Sequence, residues 1–252
     1  MPVTVLENTD RALIGLDNFH YAPLLSDAQD AIAYGGFVSV PNTIELNVNT
    51  NSQAATLFAD NKPAIAYTTI GVVEVSLVKA TLPNEFLKVI LGNKMVGGIR
   101  HTTSDQTSPY VGIAWRQLYS DGTYAYVKLY KGKFTEPENN SKTKEDSIEF
   151  QTRTITANFI ATNYKATADD STKFSLVMAT CDETDDAYTS EGDTWFESMM
   201  APIPAWATAT PYVVGDLVVE GGNIYRAAVD HTASATFATD LGAGNWVLLG
   251  VY

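Results

Sequence analysis

Three histidines, one cysteine and a dense run of carboxylates are the side chains with which this chain could do chemistry. His20, His101 and His231 lie far apart in sequence, and none sits in a HExxH or other metal-binding spacing, so each is expected to be structural. Cys181 would act as a nucleophile only beside a histidine and an oxyanion site, and the sequence places neither there. An idle or buried thiol is the expectation. A single cysteine also excludes an internal disulfide and a cysteine-held zinc. The run "CDETDDAYTSEGD", residues 181 to 193, comes closest to a metal motif, because Asp182, Asp186 and Asp193 approximate calcium-loop spacing. It departs from the loop at Thr184, at Ala187 where glycine is needed, and at Asp193 where glutamate closes the site. A solvated acidic loop fits better. No GxSxG elbow or GxxxxGK[ST] loop is present, and Gly97-Gly98 and Gly221-Gly222 read as turns. Paired carboxylates for glycoside hydrolysis have candidates in any acidic chain, but their separation is not visible in a sequence. The expectation is therefore a protein that is not an enzyme, with no catalytic residues, metal or cofactor.

The whole chain agrees with a non-catalytic role that avoids phosphate backbones. It has 252 residues, enough for one large domain or one domain and a small module. Sixteen basic against 29 acidic residues give a net charge of −13, a field that repels nucleic acid. Hydrophobic residues make up 45% and charged residues 18%, with 13 tyrosines, 10 phenylalanines and 4 tryptophans, which suits a folded β-rich protein. No run approaches the roughly 20 apolar residues of a membrane helix, and the first residues lack the pattern of a secretory signal. A soluble protein made in the cytosol is expected.

The elements that position these residues are strands. Residues 36–49, 71–80, 110–119, 123–134 and 148–162 alternate apolar with polar and favour β-branched or aromatic types. Ser120 to Gly122 is a hairpin turn. One segment breaks the period: in "TLPNEFLKVILG" Leu82, Phe86, Leu87, Ile90 and Leu91 recur at helical spacing, with Thr81 as cap, Pro83 in the first turn and Gly92 as terminator. A single amphipathic helix should flank the sheets. The stretch "LYKGKFTEPENNSKTKEDSIEFQTRTITANF", residues 129 to 159, joins two strands by a polar middle far longer than the usual connection of about 4–6 residues.

Near residue 200 the composition changes. Pro202, Pro204 and Pro211 stand among small residues, so 201–205 reads as a linker between a domain at 1–200 and a module at 206–252. The module, punctuated by aromatic residues, is too small for a large core.

Several separated blocks, "IGLDNFHYAPL", "NSQAATLFADNKPAIAYTTIGVVEVSLVKATLP" and the stretch from Pro109 to Ile160, together resemble the major tail protein family of long-tailed phages of Gram-positive hosts. The resemblance covers about the first 200 residues, in order. It implies a mainly β fold, two packed antiparallel sheets forming a barrel-like sandwich with one flanking α-helix. It also implies assembly into hexameric rings that stack into the tail tube, other tail proteins as partners, and DNA passing through the lumen without specific binding. The protein would be built in the host cytoplasm and reside in the virion. Within that expectation the polar stretch at 136–147 becomes an inter-subunit arm, with Glu138, Lys142, Lys144, Glu145 and Asp146 as contact residues. A second contact candidate is 49–69, where turn-forming residues surround Leu57 and Phe58.

The last 47 residues resemble small carbohydrate-binding modules attached to chitinases and related enzymes, through Trp206, Tyr212, Gly215, Asp216, Val218, Gly222, Tyr225, Ala227 and Trp246. Chitin-binding members often carry a tryptophan pair where this chain has "VDHTA" at 229–233. The resemblance implies a decoration on the tail exterior, with Trp206, Tyr212, Tyr225 and Trp246 as candidates for stacking on a cell-wall glycan; the competing expectation is that all four form the module core. Taken alone, the module leaves a second class open, a secreted polysaccharide-active enzyme or its accessory binding protein.

Overall fold

The structure, a computed structural model, describes residues 11–59, 62–139, 142–143, 150–168, 170–200 and 203–251. The chain is mainly β, as expected from its alternation. Along the sequence run β1 (Leu13–Asp27), β2 (Ile32–Tyr34), β3 (Val38–Ser39), β4 (Thr43–Ala59), β5 (Lys62–Lys79), α1 (Asn84–Leu91), β6 (Lys94–Val96), β7 (Ile99–His101), β8 (Val111–Tyr119), β9 (Tyr124–Phe134) and β10 (Arg153–Ile160). Then come β11 (Lys165–Thr167), β12 (Lys173–Ser175), β13 (Met178–Asp182), α2 (Glu191–Thr194), β14 (Pro211–Tyr212), β15 (Leu217–Glu220), β16 (Asn223–Ala227), β17 (His231–Thr232), α3 (Phe237–Gly242) and β18 (Trp246–Val251).

The principal sheet is antiparallel in the order β2-β1-β8-β9-β10-β5-β4, with β3 on β1 and β13 on β9. Strand β9 gives one edge to β8 and divides the other between β13, from Ala125 to Leu129, and β10, from Lys131 to Phe134. The sheet curls until β4 approaches β1, which produces the expected barrel-like sandwich. Its interior collects one apolar residue in two from each strand: Phe19 and Tyr21, Val73, Val75 and Leu77, Ile113 and Trp115, Val127 and Leu129, Ile155, Ala157 and Phe159. Helix α1 closes one side with Phe86, Leu87, Ile90 and Leu91. Gly92 ends it in the left-handed conformation as expected, whereas Thr81 does not cap. The N-cap position is Pro83, which makes no side-chain cap bond and offers its carbonyl to Leu87.

A second apolar layer covers the outside of the sheet, where Ala22, Ile32, Tyr34, Tyr130, Leu176 and Met199 pack together. The Tyr34 hydroxyl donates to the Tyr130 carbonyl at 2.9 Å. Asp27 and Lys131 form a buried ion pair at 2.6 Å, and Asp27 also accepts from the backbone of Asn163 and Tyr164. Burial alone would raise the Asp27 carboxyl, but those N–H groups and the Lys131 ammonium outweigh it and hold it below the usual carboxylate range. The result pins the segment after β10 over the end of β1.

Both glycine pairs are turns. Gly97 and Gly98 join β6 to β7, Gly221 and Gly222 join β15 to β16, and all four have positive φ, as a two-residue hairpin with a right-handed twist requires. The turn at Ser120–Gly122 also forms, with Gly122 N–H on the Tyr119 carbonyl.

Residues 201–202 fall outside the described set, but the rest of the expected linker is not free. Pro204 and Trp206 exchange backbone hydrogen bonds with Val219, so the C-terminal unit begins by Pro204. That unit is a three-stranded sheet, β15-β16-β18, with the β14–β17 pair and α3. Its β18 end lies against β1: a Cβ at Gly250 would come within 2.9 Å of the Leu25 side chain.

Candidate functional site

The most prominent feature outside the core is a two-stranded ribbon. The last β10 residue to pair with β5 is Phe159, opposite Val73. Beyond that point β4 and β5 pair only with each other, from Ser52 opposite Ile70 to Ala59 opposite Lys62. Nine strand residues at the usual rise extend the ribbon roughly 30 Å past the sheet. A register shift marks its base, between Thr50 and Ser52, where the Asn51 carbonyl stands 2.8 Å from any Cβ at residue 71. Gly71 is thus required by close approach. Ile70 and Val72 at the base are exposed, at 67% and 42%.

This ribbon corrects the reading of 49–69 as a turn-rich segment. Turn-type residues (Asn49, Asn51, Ser52, Gln53) are carried inside paired strands because β4 and β5 supply each other's backbone partners over the whole length. Leu57 and Phe58 lie near the ribbon's tip, opposite Ile65 and Pro63. The other arm candidate, 136–147, is only partly in view. Glu138 and Lys142 are exposed and outside regular structure, and Lys142 exchanges two backbone hydrogen bonds with the Gln151 side chain. Lys144, Glu145 and Asp146 lie outside the described residues.

The solvent face of the sheet next to the ribbon has a definite composition. Three cross-strand rows run over β4, β5 and β10: Glu45, Val78 and Thr154; Asn47, Ser76 and Thr156; Asn49, Glu74 and Asn158. Within these three strands amides and hydroxyls dominate and the two charges are both acidic; the last row continues to Lys133 of β9, opposite Asn158.

The residues first weighed for chemistry are dispersed. His20 rests against Phe196 and Phe37 with Nδ1 on the Asn18 carbonyl, His101 is on β7, and His231 is packed in the C-terminal unit. Cys181 sits half-buried on β13, where burial and the neighbouring carboxylates of Glu191 and Asp185 push its thiol up and suppress the thiolate. The acidic run is spent on structure: Asp182 pairs with Arg11 and takes the Thr184 N–H, Glu183 accepts from Tyr124 N–H and Tyr126 hydroxyl, and Glu191 accepts from Thr189. Among the described residues no three His, Cys, Asp or Glu side chains converge on a metal position. No helix among them is long and apolar enough to cross a membrane.

The four glycan candidates do come together, but facing inward. Tyr212, Tyr225 and Trp246 are 8%, 9% and 4% exposed, and Trp206 packs half-buried on the same cluster around Phe237. Rings cross at steep angles, Tyr212 on Trp246 at 5.0 Å and Tyr225 on Phe237 at 4.7 Å. With their faces covered, the three buried rings have no surface to offer a sugar, and their spacing in the sequence reflects the needs of a small core.

A scan against models of known families and a search of characterised proteins both return no match.

What sequence reasoning missed is the ribbon itself and two buried lysines. Lys79, 1% exposed, ends β5 with its ammonium donating to the carbonyls of Val40 and Pro41, at 3.0 and 2.5 Å, and to the Thr43 hydroxyl at 3.2 Å. It ties down the passage from β3 to β4. Lys128 donates to the Ser198 carbonyl and lies 4.4 Å above the Trp195 ring. Lys79 stands two residues after Leu77 and four after Val75, so simple alternation places it on the core face, and that was the available signal.

Proposed function

We propose that this chain is a structural subunit of a phage tail tube, assembling with copies of itself into stacked rings. The observation that carries the reading is the ribbon. Two paired strands with no sheet beyond them are marginally stable in water, and their outer edges present rows of unpaired N–H and carbonyl groups. A neighbouring copy would cover those edges, so the ribbon serves as the arm that joins subunits. The resemblance supplies the number six and the long-tailed phage setting.

The basic-free face of β4, β5 and β10 would form the wall along which DNA slides. Its amides and hydroxyls with Glu45 and Glu74 give phosphates no ammonium or guanidinium on these three strands, with Lys133 of β9 at their margin, in keeping with the net charge of −13. In this reading the C-terminal unit decorates the exterior. Placement in the virion follows from the same proposal.

Negative-stain electron microscopy of the full-length protein beside a chain ending at Met200 tests it. Tubes or six-fold rings from both would support a tube subunit with a dispensable decoration. Monomers at every concentration and salt, even with preformed tube ends added as seeds, would reject it and return the secreted polysaccharide-active alternative.

A further inference from the structure

We propose that the ε-amine of Lys128 is the reactive group of a cleft on the outer face of the sheet, where it forms an imine with a small uncharged aldehyde. The cleft has a volume of about 430 Å³, within the range of small-molecule sites, and lies between β9 and the segment from Glu191 to Met200. Lys128 stands between Ala114 of β8 and Ala179 of β13, two short side chains that leave room beside it. Trp195, Met199 and Tyr130 supply apolar walls.

The two enclosed lysines differ in what they leave for a ligand. Lys79 commits its ammonium to three acceptors, the carbonyls of Val40 and Pro41 and the Thr43 hydroxyl. It is a structural tie with no donor to spare. Lys128, 7% exposed, has one acceptor, the Ser198 carbonyl at 2.8 Å, and forms no ion pair with any described residue. Its other contacts are the ring faces of Trp195 at 4.4 Å and Phe37 at 5.9 Å, which attract an ammonium but take no proton from it. An under-bonded amine in the wall of a cleft, with no carboxylate to hold its charge, is the environment that makes a lysine nucleophilic. Burial lowers it to about 8, so roughly a tenth is free amine at pH 7, against about a thousandth or less for an ordinary lysine.

The titratable groups around it are Glu191 and Glu197 on the cleft wall, Tyr126 and Tyr130 on its own strand, His20 in the same cross-strand row and Cys181 two residues from Ala179. The glutamates repel an anionic partner, which selects an uncharged carbonyl. In the reaction the nitrogen lone pair bonds to the aldehyde carbon, and both amine hydrogens reach the carbonyl oxygen by proton transfers through solvent. That oxygen leaves as one water, so the C=N product needs no oxidant or reductant. This inference does not depend on tube assembly, because one chain builds the cleft.

The full-length protein is treated with butanal or with the anionic aldehyde glyoxylate, each with cyanoborohydride to fix the imine as a secondary amine, and the labelled lysines are mapped by peptide mass spectrometry. At pH 7.5 butanal should label Lys128 roughly tenfold or more faster than the exposed Lys94 and Lys173, and Lys79 should stay unlabelled. The advantage should shrink towards pH 10 as surface lysines lose their protons, and glyoxylate should label Lys128 more slowly than butanal does. Labelling of Lys128 less than about tenfold faster than Lys94, labelling only after urea unfolds the chain, or a preference for glyoxylate would overturn the proposal. Lys128→Arg, which keeps the positive charge over Trp195, should remove the fast label alone; a fast label that persists in that variant would place the reactive amine elsewhere and overturn it too.

Discussion

At Lys79 a full charge is enclosed with only neutral acceptors around it. Burial draws its ammonium down to about 8, and Lys128, over Trp195 and against the Ser198 carbonyl, is lowered by burial to about 8 as well. An unfolded lysine holds its proton to about 10.5, so between pH 8 and 10 the unfolded chain binds more protons than the folded one. The two lysines then make stability rise with pH across that window, on the order of 1–2 kcal/mol each, against a smaller opposing slope from Cys181, whose raised thiol keeps its proton in the fold. Above pH 10 the slope turns over, because burial holds the Tyr34 and Tyr130 hydroxyls protonated in the fold after unfolded tyrosine has ionised. Urea midpoints at pH 7.5 and 9.5 give the check. The higher pH should be the more stable, and Lys79→Met should flatten the difference; a midpoint that falls with pH in the parent protein contradicts this account. Alternation puts Lys79 on the inward face but does not show what makes a charge tolerable there, because its acceptors lie 36 to 39 residues earlier in the chain.

At the scale of elements the ribbon and the module core behave differently under mutation. Replacing 51–71 by a two-residue turn joining Thr50 to Val72 removes only residues whose strand partners are each other, so circular dichroism and monomer size should remain those of a folded protein. Ring and tube formation should be lost. Tubes formed as before by the shortened chain would show that the arm lies elsewhere, with 136–147 next in line. Alternation made β10 legible and helical spacing made α1 legible, since each has one buried face; β8 and β9, buried on both faces, were legible from their β-branched and aromatic content. The ribbon was illegible for a physical reason: its strands pair only with each other, far from the sheet, and its polar residues look like turn residues. The four module aromatics were legible as important but ambiguous in role, because a ring that fills a core and a ring that binds a sugar leave the same mark in a sequence.

For the whole molecule, the question is how far the C-terminal unit stabilises the body. Contacts of Gly250 with Leu25 and of Val251 with the Gly35 region tie the two together. A chain ending at Met200 leaves Leu25 and Ile32 more open to water, a loss of about 1–3 kcal/mol by area. Its thermal unfolding should begin at lower temperature than that of the full chain, which should melt in one transition. Two independent transitions in the full chain, with an unchanged body, would make the unit a tethered passenger.

The sequence by itself determined the class: a mainly β chain with one flanking helix, hairpin turns at its glycine pairs, an acidic surface and a small aromatic-rich C-terminal unit. Each of these follows from local chemistry, from alternation, turn conformation, charge count and side-chain size. Tertiary structure alone decided that β4 and β5 run on beyond Thr50 as a projecting ribbon, that the module's buried rings face inward, and that Lys79 and Lys128 are enclosed. Those outcomes depend on which strands lack a neighbour and which distant segments converge, and pairing over such separations leaves no period in the chain to read.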